Sequence, residues 1–384
     1  MRDVLLSYAS VAMIRGAGAL FMVSLALTLD LSPSLHGLVL ASYAIVEAIA
    51  GVAAGVAYER FGARLSLASA ALYLTLAYVL MNSSPSPLLL ITLNGLAGAA
   101  AALALVSTLS LLAEETRGRE RSRLYGSGAF EAANLGGYAI GFALAFLLEY
   151  LGALRGFYAS AALSSLALLL SLFLSGTRGG RISYEVSRDS LKLVPIWFGM
   201  ASFIGLAFMA PKILRELDVG LLDGASGEGM VSPLLVLGLL GASLALIVAS
   251  YVAARIGKFR ALLLGSLSAP LALAVLAIYY EKVLDNLLYL PLLFPLMLPI
   301  MLLPPSLLAY LADYTDKLRS RGSGMGIYVT VLGLGIGFGE YLVGGYMFQV
   351  TGFRGALLFL AAAFLLLSLP SLYLISRDAR RRPS

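Results

Sequence analysis

Arg15, Glu47, Glu131 and Glu340 each stand inside a long apolar run. A charge at the centre of a bilayer costs about 2.5–3.5 kcal/mol on insertion scales, so such residues turn toward a bundle interior or a water-filled cavity. The chemistry open to them is the handling of charge: pairing with one another, holding an ionic solute, or taking up and releasing a proton. Arg15 and Glu47 fall near the middles of the first two apolar runs. Consecutive antiparallel helices are neighbours, so these two are expected to meet. A paired carboxylate stays ionised, whereas an unpaired one in a dry site takes up a proton. A pair that alternates between those conditions couples protons to movement. A pair that stays closed only satisfies two buried charges.

Asn134 and Tyr138 follow Glu131 at i+3 and i+7 and make one polar stripe with it. That stripe lines a substrate path, or else Glu131 reaches toward Arg121 and Arg123 as an anchor. Glu340 lies toward the outer side of its run, with Gly337 and Gly344 on its face. No cation in the second half matches it, which makes it the cleanest candidate for protonation. The alternative is an acid reaching the outer surface. Tyr43, one turn before Glu47, and Tyr138 can supply polarity or stack on a flat cation. Three acids against one arginine favour a cationic or protonated solute, or protons themselves. The opposite possibility makes Arg15 the anchor of an anionic solute.

The elements that carry these residues must be membrane spans. Of 384 residues, 60% are hydrophobic and 12% charged. A soluble domain carries about 25% charged residues, and no single core can hold this much apolar surface. A span needs about 20 apolar residues. Twelve are expected, at 4–29, 35–58, 65–82, 87–113, 124–148, 155–175, 192–212, 231–253, 261–280, 287–312, 324–348 and 355–376. The first is too long for a signal peptide and carries Arg15 in its middle. There is no cysteine and a single histidine, His36, in an outer loop with no role assigned. Multi-histidine and cysteine metal sites are thereby excluded, and no cofactor or metal is expected. An intramembrane enzyme needs a nucleophile–base pair or a metal, and no such cluster stands out. Scarce Asn, Gln and Cys fit a thermophilic composition.

The net charge of +6 would suit nucleic acid in a soluble protein. Here it collects at alternate span ends and points to topology instead. With the N-terminus inside, 21 of the 27 Lys and Arg residues fall on the cytoplasmic side, Arg117, Arg119, Arg121 and Arg123 among them. Positive loops stay inside, so both termini are expected in the cytoplasm and the span number is even.

The two halves of the chain resemble each other. Glu59-Arg60-Phe-Gly62 follows span two, and Ala254-Arg255-Ile-Gly257 follows span eight. Gly137 and Gly141 match Gly335 and Gly339, and Gly152-Ala-Leu-Arg155-Gly156 matches Gly352-Phe-Arg354-Gly355. Duplicated halves with a mid-membrane site between them are a common transporter plan. The expected division is a bundle over 1–176, a cytoplasmic linker over 177–191, and a second bundle over 192–384. The Gly-x-x-x-Gly pairs, including Gly51 and Gly55, suit close helix packing. Pro291, Pro295, Pro299, Pro304 and Pro305 are expected to kink span ten, as a gate or as a static bend.

Gly55-x-x-x-Glu59-Arg60-x-Gly62-x-Arg64 resembles the loop 2–3 signature of the major facilitator superfamily, G-x-L-A-D-R-x-G-R-K/R. Both glycines, an acid and both basic positions are kept. The resemblance extends over the whole chain and implies an all-α membrane protein of twelve helices in two pseudo-symmetric six-helix bundles. It also implies alternating access, a cavity lined by spans 1, 2, 4, 5, 7, 8, 10 and 11, and a cytoplasmic latch at the Gly55–Arg64 loop. The second copy has Ala254 in place of the acid, which makes any latch asymmetric. Span five lacks most of the drug/proton antiporter glycine–proline pattern, and Ile91-Thr-Leu-Asn94-Gly95 lacks an arginine that many proton-coupled members carry. The expected function is proton-coupled efflux of an organic or amphipathic cation by a monomer in the plasma membrane. The alternative is a uniporter or symporter of an anionic metabolite bound through Arg15.

Overall fold

In lipid every backbone N–H and C=O must be satisfied within the span, and the α-helix does this alone. The computed structural model describes residues 2–29, 31–83, 86–116, 119–151, 157–175, 188–217, 228–285, 294–315 and 321–381, and no strand occurs among them. The helices are α1 (Arg2–Thr28), α2 (Pro33–Ser83), α3 (Pro87–Glu115), α4 (Glu120–Tyr150) and α5 (Tyr158–Leu172), then a 3₁₀ turn at Arg188–Leu193. There follow α6 (Val194–Phe208), α7 (Ala210–Glu216), α8 (Glu228–Ile256), α9 (Lys258–Asp285), α10 (Phe294–Met297), a 3₁₀ segment Leu298–Leu302 and α11 (Leu303–Thr315). The chain closes with α12 (Arg321–Gly337), a π-helical stretch Phe338–Met347, and α13 (Phe348–Arg381).

Among the described residues, eight helical stretches are long and apolar enough to cross a membrane. Two of them exceed one crossing. Helix α2 has 51 residues and breaks at Gly62, where φ is 76° and ψ 173°. Helix α13 breaks likewise at Gly352, φ 70° and ψ 179°. Gly257, between α8 and α9, has φ 91°. Glycine takes such angles without steric cost, so the repeated Arg-x-Gly turns reverse the chain by one device. The turn matched to Gly352 in sequence, at 152–156, lies outside the described residues, as does most of the expected linker; Arg188–Leu193 is its 3₁₀-helical end.

Polarity is distributed for lipid. Leu5, Ile49, Leu88, Leu244 and Leu366 are more than 60% exposed, while Arg15, Glu47 and Glu340 are at most 2% exposed. The expected bend in span ten is a 3₁₀ break containing Pro299, after which α11 starts anew at Leu303; Pro291 lies outside the described residues.

Helix α1 packs on α4 and α5, α2 on α3, and α6 on α12 and α13. Between the early and late parts of the chain, α2 meets α12, and α4 meets α8 and α11. Helices α2 and α12 run antiparallel in contact. A side chain on Gly37 would press on the Glu340 carbonyl, one on Gly333 on the Ala44 carbonyl, and one on Gly51 on the Gly326 carbonyl. Thr330 Oγ1 donates to the Ala48 carbonyl across the same seam, 2.8 Å. Small residues permit this approach where lipid supplies no hydrophobic drive between helices.

Candidate functional site

The site begins at a helix crossing. Gly137 and Gly141 of α4 lie against the Ala12 and Gly16 carbonyls of α1, too close for any Cβ. That approach sets Arg15 against α4, where its Nε donates to Asn134 Oδ1 at 2.9 Å. Its Nη1 donates to Tyr43 Oη at 3.1 Å and its Nη2 to Glu47 Oε1 at 2.9 Å, both on α2. The guanidinium carbon lies 5.7 Å from the centre of the Tyr138 ring. On the far side of α2, Gly98 of α3 abuts the backbone of Tyr43 and Glu47, and Asn94 Nδ2 donates to the Val39 carbonyl at 2.8 Å. Both partners of the ion pair are therefore held by packing as well as by each other.

The network continues into the second half. Asn134 Nδ2 donates to Glu131 Oε2 at 3.3 Å, and Tyr328 Oη of α12 donates to Glu131 Oε1 at 2.7 Å. Glu131 thus links α4 to α12. It does not anchor on Arg123, which pairs instead with Asp313 at 2.7 Å. Trp197 of α6 packs on Tyr328, ring centres 4.6 Å apart, and Phe208 on Tyr138 at 4.5 Å.

Glu340 occupies the π-helical stretch and is 1% exposed. Its Oε2 has no hydrogen-bond partner among the described residues; it is a buried acid and does not reach the outer surface. A π-helical segment inside an α-helix is rare and is found mostly at functional sites. Glycines seat it: Gly205 of α6 lies against the Ile336 carbonyl, and Gly339 against the Ser202 carbonyl.

A buried arginine–carboxylate chain thus joins apolar helices, and Glu340 is a further buried acid. The family model of the Major Facilitator Superfamily matches residues 4–298 and 198–384. The chain belongs to the major facilitator superfamily. Members of this superfamily are transporters, so the protein is a multi-pass membrane transporter and not an enzyme. Of 283 solved chains that match, one is the human organic anion transporter MFSD10 (TETRAN), with 13% sequence identity, a TM-score of 0.73, and coverage of 96% of this chain and 99% of that one. That likeness is one of fold. No curated protein matches the sequence.

The superfamily motif lies at the break in α2. Gly55 and Gly62 are buried, Arg60 and Arg64 exposed and Glu59 half-buried; the Arg60 guanidinium lies 5.3 Å from the Phe61 ring centre. Next to this loop, Tyr58 Oη donates to Glu114 of α3 at 3.1 Å. The matching turn of the second half carries Lys258, which pairs with Asp313. Asp313 also takes Arg123 of α4, so one carboxylate of α11 clamps cations from both halves. Beside the clamp is a water-sized space of about 10 Å³ lined by Thr116, Ser127 and Met325 among others.

Sequence reasoning missed Tyr328, Trp197 and Asp313. For Asp313 a signal exists: Leu112-Ala-Glu114 recurs as Leu311-Ala-Asp313. Among the described residues, no cluster of three or more His, Cys, Asp or Glu side chains is placed to hold a metal ion.

Proposed function

We propose that the protein is a secondary transporter that exports an organic or amphipathic cation in exchange for protons. Twelve spans form two pseudo-symmetric bundles, 1–176 and 192–384, joined by a cytoplasmic linker over 177–191. They rock about the Arg15 network to give alternating access. Both termini lie in the cytoplasm, and the chain works as a monomer in the plasma membrane. The lopsided Lys and Arg distribution supports the orientation. The shared glycine turns support the repeat.

The observation that carries the cation assignment is an imbalance of buried charge. The buried cations Arg123 and Lys212 pair with Asp313 and Glu216, which leaves Glu47, Glu131 and Glu340, all at most 7% exposed, against Arg15, the cation bonded to Glu47. Glu47 is neutralised by Arg15. Glu131 is hydrogen-bonded by Tyr328 and Asn134. Glu340 retains an unspent oxygen. As a neutral acid it suits a dry pocket; an arriving cation displaces its proton, and the proton's return expels the cation.

A second possibility is a transporter of an anion held by Arg15. MFSD10, an organic anion transporter, shares the fold. Against it, the Nε, Nη1 and Nη2 groups of Arg15 all donate to protein acceptors already.

Binding of a panel of cations and anions to the purified protein separates the two, repeated with Glu340→Gln, Glu47→Gln and Arg15→Gln. Cation binding with proton release, both lost in Glu340→Gln, is the expected result. Anion binding lost only in Arg15→Gln overturns it.

A further inference from the structure

Trp197 is the only tryptophan of the chain. It is 1% exposed, and its Nε1–H has no acceptor among the described residues. A buried indole N–H almost always finds one, because an orphaned donor in a dry interior forfeits about 1–3 kcal/mol. The ring is not remote from the chemistry. It packs at 4.6 Å on Tyr328, whose hydroxyl holds Glu131.

The local sequence fixes this placement. Gly335 of α12 lies against the Phe198 carbonyl, and Gly199 takes the edge of the Phe364 ring. Helix α6 is therefore gripped on either side of Trp197, and the indole has little freedom to seek a protein acceptor elsewhere. A flat aromatic face, an unspent donor and a carboxylate stand together where the two halves meet.

We propose that Trp197 is a specificity-determining residue that donates its indole hydrogen bond to the transported solute. The solute class is then a flat aromatic cation with a hydrogen-bond acceptor on its ring. Its positive charge is met by the carboxylates, its face by Trp197 and Tyr328, and its acceptor by Nε1. An aliphatic cation, or an aromatic one without the acceptor, leaves the indole unsatisfied. This rests on the cation reading above and names the solute more narrowly.

The test uses the full chain in detergent and three probes: 1-methylnicotinamide, a flat cation with an amide acceptor; N-methylpyridinium, which lacks the acceptor; and tetramethylammonium, which lacks the ring. Calorimetry gives the affinities, and saturable quenching of the single tryptophan reports proximity. The expected order places 1-methylnicotinamide about tenfold tighter than N-methylpyridinium, equivalent to ~1.4 kcal/mol. Trp197→Phe keeps an aromatic ring and removes the donor; it should make the two pyridinium compounds equal, with both still bound more tightly than tetramethylammonium. Equal affinities in the unaltered protein, or a preference that survives Trp197→Phe, overturn the role of Trp197 while cation binding stands. If none of the three cations binds and anions do, the cation reading itself falls.

Discussion

Two helix crossings in this protein are made alike and filled differently. In the first, Gly137 and Gly141 of α4 lie on the carbonyls of Ala12 and Gly16. In the second, Gly335 of α12 and Gly339, at the start of the π-helical stretch, lie on the carbonyls of Phe198 and Ser202. Three residues after Ala12 stands Arg15; three after Phe198 stands Ala201. Three and six residues before Gly137 stand Asn134 and Glu131; before Gly335 the same places hold Leu332 and Val329. Arg15 Cβ and Ala201 Cβ even occupy the same position against their glycines. The second crossing is an internal control. It shows that close approach of the helices requires the glycines and not the charges. The first crossing buries an arginine–carboxylate chain, whereas the second buries the single acid Glu340 after Gly339; neither group is needed for the approach, and both carry a desolvation cost.

The sharpest way to break this comparison is to make the first crossing resemble the second. Arg15→Ala leaves Glu47 buried without its cation, which costs about 3–5 kcal/mol. A large fall in thermal stability in detergent is expected, with loss of solute binding. Adding Glu47→Ala should recover most of the stability, since both charges are then gone, and none of the binding. A double variant as unstable as the single one would mean that the pair is not coupled.

Smaller effects follow from the glycines. Gly137→Ala and Gly335→Ala each drive a methyl group into a facing carbonyl, an overpacking worth about 1–3 kcal/mol. The stability losses should be similar. Affinity for a cation without a ring should fall only in Gly137→Ala, because only there does the displaced helix carry Arg15; Gly335→Ala presses on α6 beside Trp197 and should change only the preference among aromatic cations. Equal loss of affinity in both would erase the distinction between scaffold and site.

Glu340 tests the comparison from the other side, since Phe142 stands at the matching place after Gly141. Glu340→Met removes a buried oxygen without a partner. Apolar replacement of buried ionisable groups is often neutral or stabilising, so thermal stability should hold or rise by about 1 kcal/mol. Proton release on cation binding, followed in weakly buffered solution, should vanish. A variant that still releases protons would move the coupling to Glu131.

Part of this was legible in the sequence for identifiable reasons. Arg15 and Glu47 meet because consecutive spans are neighbours and both lie near mid-span. Gly62 and Gly257 turn the chain because an Arg-x-Gly at a polar boundary leaves few other uses for glycine. The Glu131–Asn134 bond is a helical i+3 contact and follows from spacing alone. Tyr328 was not legible as the partner of Glu131, since 197 residues separate them and helix periodicity says which face is buried but not what it meets. Trp197 is indistinguishable by type from a core aromatic. The π-helical stretch around Glu340 is a change of hydrogen-bond period that leaves no mark in an apolar sequence.

The smallest effect concerns the clamp. Glu114 accepts from Tyr58, and Asp313, at the matching place of the second half, takes Arg123 and Lys258. The Asp313 side chain is 31% exposed, so water and salt screen its charge and limit its share of stability to about 1 kcal/mol or less. Under the alternating access proposed above, its effect should lie in the balance between open and closed forms, because the Arg123 bridge ties α4 to α11. The chain has no cysteine, so Ser127→Cys, beside the clamp and 2% exposed, reports that opening alone. Asp313→Asn should raise its rate of alkylation about threefold, a shift of ~0.7 kcal/mol between the forms. High salt should raise the rate in the otherwise unaltered protein by a smaller factor, since screening weakens a partly exposed pair. Glu114→Gln, which removes the carboxylate that accepts from Tyr58, should raise it less. An equal rise in both variants would mean that the carboxylates act on helix stability at large, and the clamp would lose its claim to join the halves.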